Sequence, residues 1–251
     1  MKTADRLNSV KEYYFSKKLR EIEELKQQGI EVINAGIGSP DLAPHNSVIQ
    51  ELHQQSKKEG AHKYQSYKGI PELRSAFSLW YKKYFNCNLN PESEILPLMG
   101  SKEGIMHISL AFLNKSDEVL IPDPGYPTYA AAAKMAEANV LKYDLKEENN
   151  WLPCLSSIEK NNLEKVKIMW INYPHMPTGS TANDKDLIDI VKFGKKHNIL
   201  ICNDNPYAFI LNKDQKSILQ FRNESADILE LNSLSKSHNM AGWRIGMLAG
   251  N

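Results

Sequence analysis

The sequence predicts an α/β protein: a doubly wound, mainly parallel sheet with helices on both faces. Two observations predict it. Short β-rich runs recur at "ILPLM", "EVLIP", "VLKYD", "VKIMWIN", "ILICND" and "ILELN", and helical stretches near 101–113, 127–138 and 183–197 lie between most of them. Strands that alternate with helices join as parallel neighbours, and a parallel sheet is covered on both faces.

Ahead of these runs, Phe15, Leu19, Ile22 and Leu25 recur at helical spacing and stop at Gly29, so residues 11–28 read as an amphipathic helix. "IEVINAGIG" then reads as a short strand entering a glycine-rich turn. Pro71 opens the clearest helix, with Leu73, Phe77, Trp80 and Tyr84 on one apolar stripe. At the far end "RIGMLAG" reads as a further strand. No repeat, low-complexity tract or Pro/Gly/Ser linker interrupts the second half, which reads as one continuous domain.

A chain of 251 residues can bury a full core as one large domain or two smaller ones. Its 41% apolar and 24% charged residues are ordinary for a globular protein, and a net charge of +1 argues against a nucleic-acid footprint or a basic membrane patch. The opening "MKTADRLNSVKEYYF" lacks the apolar core of a signal peptide, and no apolar run approaches membrane-spanning length. Cys87, Cys154 and Cys202 are scattered and odd in number, with no CxxC pair. That argues against a disulfide framework or a metal site and for a reducing cytoplasm.

Parallel sheets bind ligands beyond the carboxyl ends of their strands. "ILPLM" is followed there by Gly100-Ser101-Lys102 and a helical run, a helix start that suits a phosphate, although serine is also an ordinary N-cap. Neither GxxxxGK[ST] nor a full dinucleotide fingerprint is present. "EVLIP" runs into "DPGYPTY", where Tyr126 either caps the core or stacks on a flat ligand. "VKIMWIN" runs into "YPHMPTG", a strong turn signal in which His175 is expected as a surface residue. "ILIC" ends at Asn203-Asp204 with Tyr207 close behind. An acid at the end of a buried strand needs a salt bridge, a cap role or a charged ligand nitrogen. "ILELN" ends at Ser233, followed by Ser235, Lys236 and Arg244.

Each of these residues has a plain structural reading when taken alone. Their joint placement at strand ends is what pyridoxal phosphate chemistry requires. A lysine amine forms a Schiff base with the cofactor, and an aspartate keeps the pyridine nitrogen protonated. An arginine, hydroxyls and a helix start hold the phosphate.

At these motifs the chain resembles the class I/II aminotransferases, fold type I of the pyridoxal-phosphate enzymes, from about Tyr13 to its last residue. "SLSKSHNMAGWRIG" is similar to the family's lysine segment and implies Lys236 as Schiff-base lysine and general acid/base, with Ser233, Ser235 and Arg244 on the phosphate. "NDNPY" implies Asp204 at the pyridine nitrogen and Tyr207 donating to the phenolic oxygen O3′. "GSKEG" implies Gly100, Ser101 and Lys102 at the phosphate, and "DPGYPTY" implies Tyr126 stacked on the ring. "KYQSYKGIPELR" implies Tyr64 reaching the phosphate of a neighbouring subunit, hence a homodimer with shared sites. On the substrate side the resemblance implies Gly38, in "GIGSPDL", and Tyr13.

The resemblance further implies residues 1–45 as an N-terminal arm and part of a small domain, and 46–251 as an incomplete cofactor-binding large domain. The implied activity is transfer of an amino group between an α-amino acid and a 2-oxo acid, with no nucleic-acid or membrane partner. A carbon–sulfur β-lyase of the same fold shares nearly every motif, and a non-catalytic cofactor-binding fragment is the third reading. Two departures stand out. Met176 occupies the place of the asparagine in the family's N-P-T-G, and a methionine cannot donate to O3′. The family's arginine for the substrate α-carboxylate would lie past residue 251, so a truncated sequence is expected.

Overall fold

In the computed structural model, which describes every residue except Val10, Lys11, Tyr13, Ile37, Ser225, Ala226 and Asn251, seven strands form one sheet. They are β1 (Ile95–Leu98), β2 (Glu118–Asp123), β3 (Asn139–Asp144), β4 (Val166–Ile171), β5 (Leu200–Asp204), β6 (Ile228–Ser233) and β7 (Gly246–Gly250). Their order is β1-β7-β6-β5-β4-β2-β3. Neighbours from β6 through β3 pair in parallel, and β7 runs antiparallel to both β1 and β6. The mainly parallel sheet expected from the alternating pattern is therefore present, with "RIGMLAG" supplying its antiparallel member.

The helices are α1 (Tyr14–Gln27), α2 (Asn46–Gln55), α3 (Pro71–Phe85), α4 (Ser101–Phe112), α5 (Pro127–Met135), α6 (Leu155–Ile158), α7 (Asp184–His197) and α8 (Leu234–Ser237). Local chemistry sets several of their ends. Pro71 starts α3 and Asn86 stops it in the left-handed conformation, φ 51°. A reciprocal capping box between Asn183 and Asp186 opens α7. The stretch expected near 127–138 stops at Met135 because Glu137 turns left-handed, φ 60°, and sends the chain into β3.

Side chains of successive strand residues point to opposite faces. Along β4, Ile168 and Trp170 therefore join Ile105 and Ile108 of α4 and Tyr129 and Ala132 of α5 in one core. Met169 and Ile171 join Phe77 and Tyr81 of α3 and Ile190 and Val191 of α7 in the other. One core on each face is what a doubly wound sheet needs.

The N-terminal region departs from expectation. "IEVINAGIG" does not form a strand: residues 30–36 carry no ladder, and Ile33 is almost fully exposed. A strand exists only where a partner edge accepts its backbone bonds, and no edge among the described residues reaches this segment. The helix expected over 11–28 spans Tyr14–Gln27, with none of its residues buried. No helix among the described residues is long and apolar enough to cross a membrane.

Candidate active site

The carboxyl ends of β4, β5 and β6 meet the N-termini of α4 and α5 around a cavity of about 570 Å³. Gly38, Ser101, Lys102, Tyr126, Asp204, Tyr207, Ser233, Ser235, Lys236 and Arg244 all line it. Gly100 sits just beneath, as the N-cap of α4. Tyr64 is elsewhere and fully exposed, and Tyr13 lies outside the described residues.

Strand β6 hands the chain directly to α8. Ser233 caps that short helix by accepting the Ser235 N–H at 3.1 Å, and the two hydroxyls lie 2.9 Å apart. This turn projects Lys236 into the cavity, where its Nζ donates to the Gly38 carbonyl at 2.8 Å. Burial lowers the pKa of the Lys236 amine, because desolvation disfavours the charged form.

Arg244 ends the 3₁₀ turn Ala241–Trp243 in the left-handed conformation, φ 57°. Its guanidinium donates to Ala241 O at 3.0 Å and to Met99 O at 3.3 Å, which holds it over the start of α4. Two glycines permit this approach. A Cβ on Gly100 would lie 2.3 Å from Arg244 Nη2, and one on Gly246 would lie 2.8 Å from Asn232 O and 2.9 Å from Ser101 N. The first N–H groups of a helix have no partner within it. Such amides beside a guanidinium and two hydroxyls form a site for a phosphate dianion.

On the opposite wall, Asp204 is almost fully buried. Its Oδ2 accepts the Tyr129 hydroxyl at 3.0 Å, while its Oδ1 is buried without a hydrogen-bond partner among the described residues. Burial pushes the carboxyl up to about 6 against the opposing Tyr129 hydroxyl, with the Glu230 charge adding to the rise. A buried acceptor left unpaired is costly. A protonated ring nitrogen arriving from the cavity would satisfy it, so the residues present fit pyridoxal phosphate at both its phosphate and its pyridine end. Tyr126 meets Tyr129 edge-on at 5.7 Å, and Tyr129 in turn stacks flat on Trp170 at 5.0 Å.

Between these walls runs the segment after β4. Asn172 Nδ2 donates to the Asp204 carbonyl, and Asn172 Oδ1 accepts the Met176 N–H at 2.7 Å. Met176 thereby puts a thioether on the cavity wall. His175 corrects the sequence reading: it is buried rather than a surface residue, with Nδ1 2.8 Å from Thr178 Oγ1. The reason is the tight turn, closed by bonds from His175 N to Ser180 O and from Gly179 N to His175 O, both 2.7 Å, which folds the ring inward. Tyr129 was missed as a site residue, although it stands one helical turn after Tyr126. Phe15 and Gly36 also line the cavity, and nothing in their local sequence marks them.

The sequence profile described as aminotransferase class I and II matches residues 30–251. The chain belongs to that family. Among class I/II relatives, it is 41% identical over 253 residues to an LL-diaminopimelate aminotransferase of Dehalococcoides mccartyi, covering 100% of this chain and 65% of that protein. It is also 41% identical over 250 residues to the LL-diaminopimelate aminotransferase of Aquifex aeolicus, covering 99% and 65%. The apo-BacF structure from Bacillus subtilis superposes with a TM-score of 0.95 at 33% identity, over 100% of this chain and 64% of that one. The chain thus spans just under two thirds of the length of the class I/II aminotransferases it matches.

Proposed function

We propose that the whole protein is a pyridoxal-phosphate-dependent aminotransferase, moving an amino group between an α-amino acid and a 2-oxo acid, with LL-diaminopimelate as amino donor. The observation that carries the reading is one cavity bordered by the Lys236 amine and by Asp204, whose Oδ1 has no partner among the described residues. The choice of donor rests on the names of relatives 41% identical to this chain.

When bound, the cofactor supplies an aldehyde that joins amines and a ring that accepts electron density. The chain supplies the rest. Arg244, Ser233, Ser235 and the amides after Gly100 hold the phosphate, with Lys102 beside them. Tyr126 covers the ring face and Tyr207 donates to the phenolic oxygen. Asp204 keeps a proton on the ring nitrogen. Lys236 carries the moving proton, and its burial favours the neutral amine that can take one from the substrate α-carbon. Gly38 and Tyr13 belong to the substrate side.

The exposed Tyr64 fits a homodimer in which it reaches the partner's phosphate site. Three free thiols, Cys87, Cys154 and Cys202, fit a reducing cytoplasm. The absence of buried residues in α1 fits residues 1–45 as an arm laid against the large domain at 46–251, which it meets where Lys236 donates to the Gly38 carbonyl.

Borohydride reduction of the cofactor-loaded protein, followed by peptide mapping, should place the pyridoxyl group on Lys236. A label on Lys102 would overturn the assignment. Turnover of LL-diaminopimelate with a 2-oxo acid, compared with aspartate, alanine and aromatic donors, tests the substrate. Pyruvate release from cystathionine without an acceptor would instead identify a β-lyase.

A further inference from the structure

Glu230 lies within β6 with no exposed surface, and it is not on the cavity wall. A buried carboxylate persists only if its oxygens are satisfied, and four donors meet this one. Tyr81 Oη and Ser217 Oγ reach Oε1 at 2.9 and 2.8 Å. Asn203 Nδ2 and the Ile218 N–H reach Oε2 at 2.9 and 3.0 Å. The last two can only donate, so Oε2 must accept whether or not the acid is protonated.

That requirement has a consequence two bonds away. Asn203 has to turn its Nδ2 toward Glu230, which leaves its Oδ1 to accept the Tyr173 backbone N–H at 3.3 Å. Tyr173 lies in the segment that forms the cavity wall. The next residue of β5, Asp204, holds the same segment through its carbonyl, which accepts Asn172 Nδ2. Consecutive residues of one strand therefore grip the segment, one by its side chain and the other by its backbone.

We propose that Glu230 is a positioning residue for the cavity: it orients Asn203, which pins Tyr173 and with it the Asn172–Met176 wall. Glu230 touches neither cofactor nor substrate. A glutamine at 230 can still present an oxygen to Asn203 and Ile218, whereas a leucine cannot. With leucine the Asn203 amide is free to turn over, and the Tyr173 N–H then faces another donor.

The test compares Glu230→Gln, Glu230→Leu, Asn203→Ala and Ser217→Ala in the full chain. Two properties are read: amide hydrogen exchange at Tyr173 and Met176 without cofactor, and pyridoxal phosphate affinity by absorbance titration. Glu230→Leu and Asn203→Ala should speed exchange at both amides and weaken cofactor binding, each by up to about tenfold, the worth of one hydrogen bond. Glu230→Gln should keep both near the parent values. Ser217→Ala removes a donor with no path to the wall, so it should lower thermal stability and change neither. Unchanged exchange and affinity in Asn203→Ala, or equal changes in Ser217→Ala, would reduce Glu230 to a core residue and overturn the proposal. Should Glu230→Leu fail to fold, Glu230→Met, closer in shape and equally without an oxygen acceptor, takes its place, while Asn203→Ala tests the link from Asn203 to the wall. The affinity arm rests on the functional reading above. A parent chain that does not bind pyridoxal phosphate defeats that reading, while the exchange arm still decides whether Glu230 holds the wall.

Discussion

The Tyr129 hydroxyl donates to Asp204 Oδ2 at 3.0 Å, from a ring stacked flat on Trp170. This bond divides the carboxylate, engaging one oxygen and leaving Oδ1 without a partner among the described residues. Tyr129 and Asp204 are 75 residues apart in sequence.

Tyr129→Phe removes a donor that favours the ionised form of Asp204, so the carboxyl should shift still higher. The cofactor-free variant should lose about 1–3 kcal/mol of stability at pH 8 and less at pH 4, where the acid is already protonated. Urea unfolding at the two pH values checks this, and equal losses would mean the bond does not serve the charge.

Asp204→Asn should stabilise the cofactor-free chain at high pH. With the folded carboxyl raised from 3.8 to about 6, the native state retains a proton that the unfolded state has already released. Parent stability therefore falls as pH climbs through that window and then levels off. A shift of about two units corresponds to roughly 3 kcal/mol. Asparagine lacks this penalty, so the variant should lead by up to that amount at pH 8 and by almost nothing below about pH 3. Amino transfer should move the other way, falling by orders of magnitude as the ring nitrogen loses its partner. Unfolding curves across pH, paired with rates, test both halves.

Gly246→Ala should cost more stability than Gly100→Ala. At Gly246 the added methyl meets backbone, Asn232 O at 2.8 Å and Ser101 N at 2.9 Å, whereas at Gly100 it meets only the flexible tip of Arg244. Gly100→Ala still bears a backbone of φ 86° and ψ 157°, a region essentially confined to glycine, costing about 1–3 kcal/mol, and it should weaken inorganic phosphate binding by displacing the guanidinium. Thermal melts of the two variants with and without phosphate distinguish the cases.

Met176→Asn should lower the pH midpoint of the bound cofactor's visible absorbance. An added donor at O3′ favours the charged phenolate. One neutral hydrogen bond is worth roughly 0.5–1.5 kcal/mol, which predicts a shift of about one unit. Spectrophotometric titration of the full-length protein and its variant reads this directly. A midpoint that stays put or rises would show that residue 176 does not reach O3′.

By itself the sequence determined the alternation of strands and helices, the mainly parallel sheet and most of the polar residues that line the cavity. These are legible because a buried strand, a helix stripe and a glycine turn are each written over a few consecutive residues, and because the chemistry of a parallel sheet gathers at its strand ends. Only the tertiary structure decided that residues 30–36 form no strand, that His175 is buried, that Tyr129 holds Asp204, and that Glu230 steers Asn203. Each of those outcomes depends on a partner that local pattern cannot supply. Tyr81 reaches Glu230 across 149 residues of sequence, and the polarity of a buried amide or carboxylate is settled only by the donors and acceptors that folding brings against it.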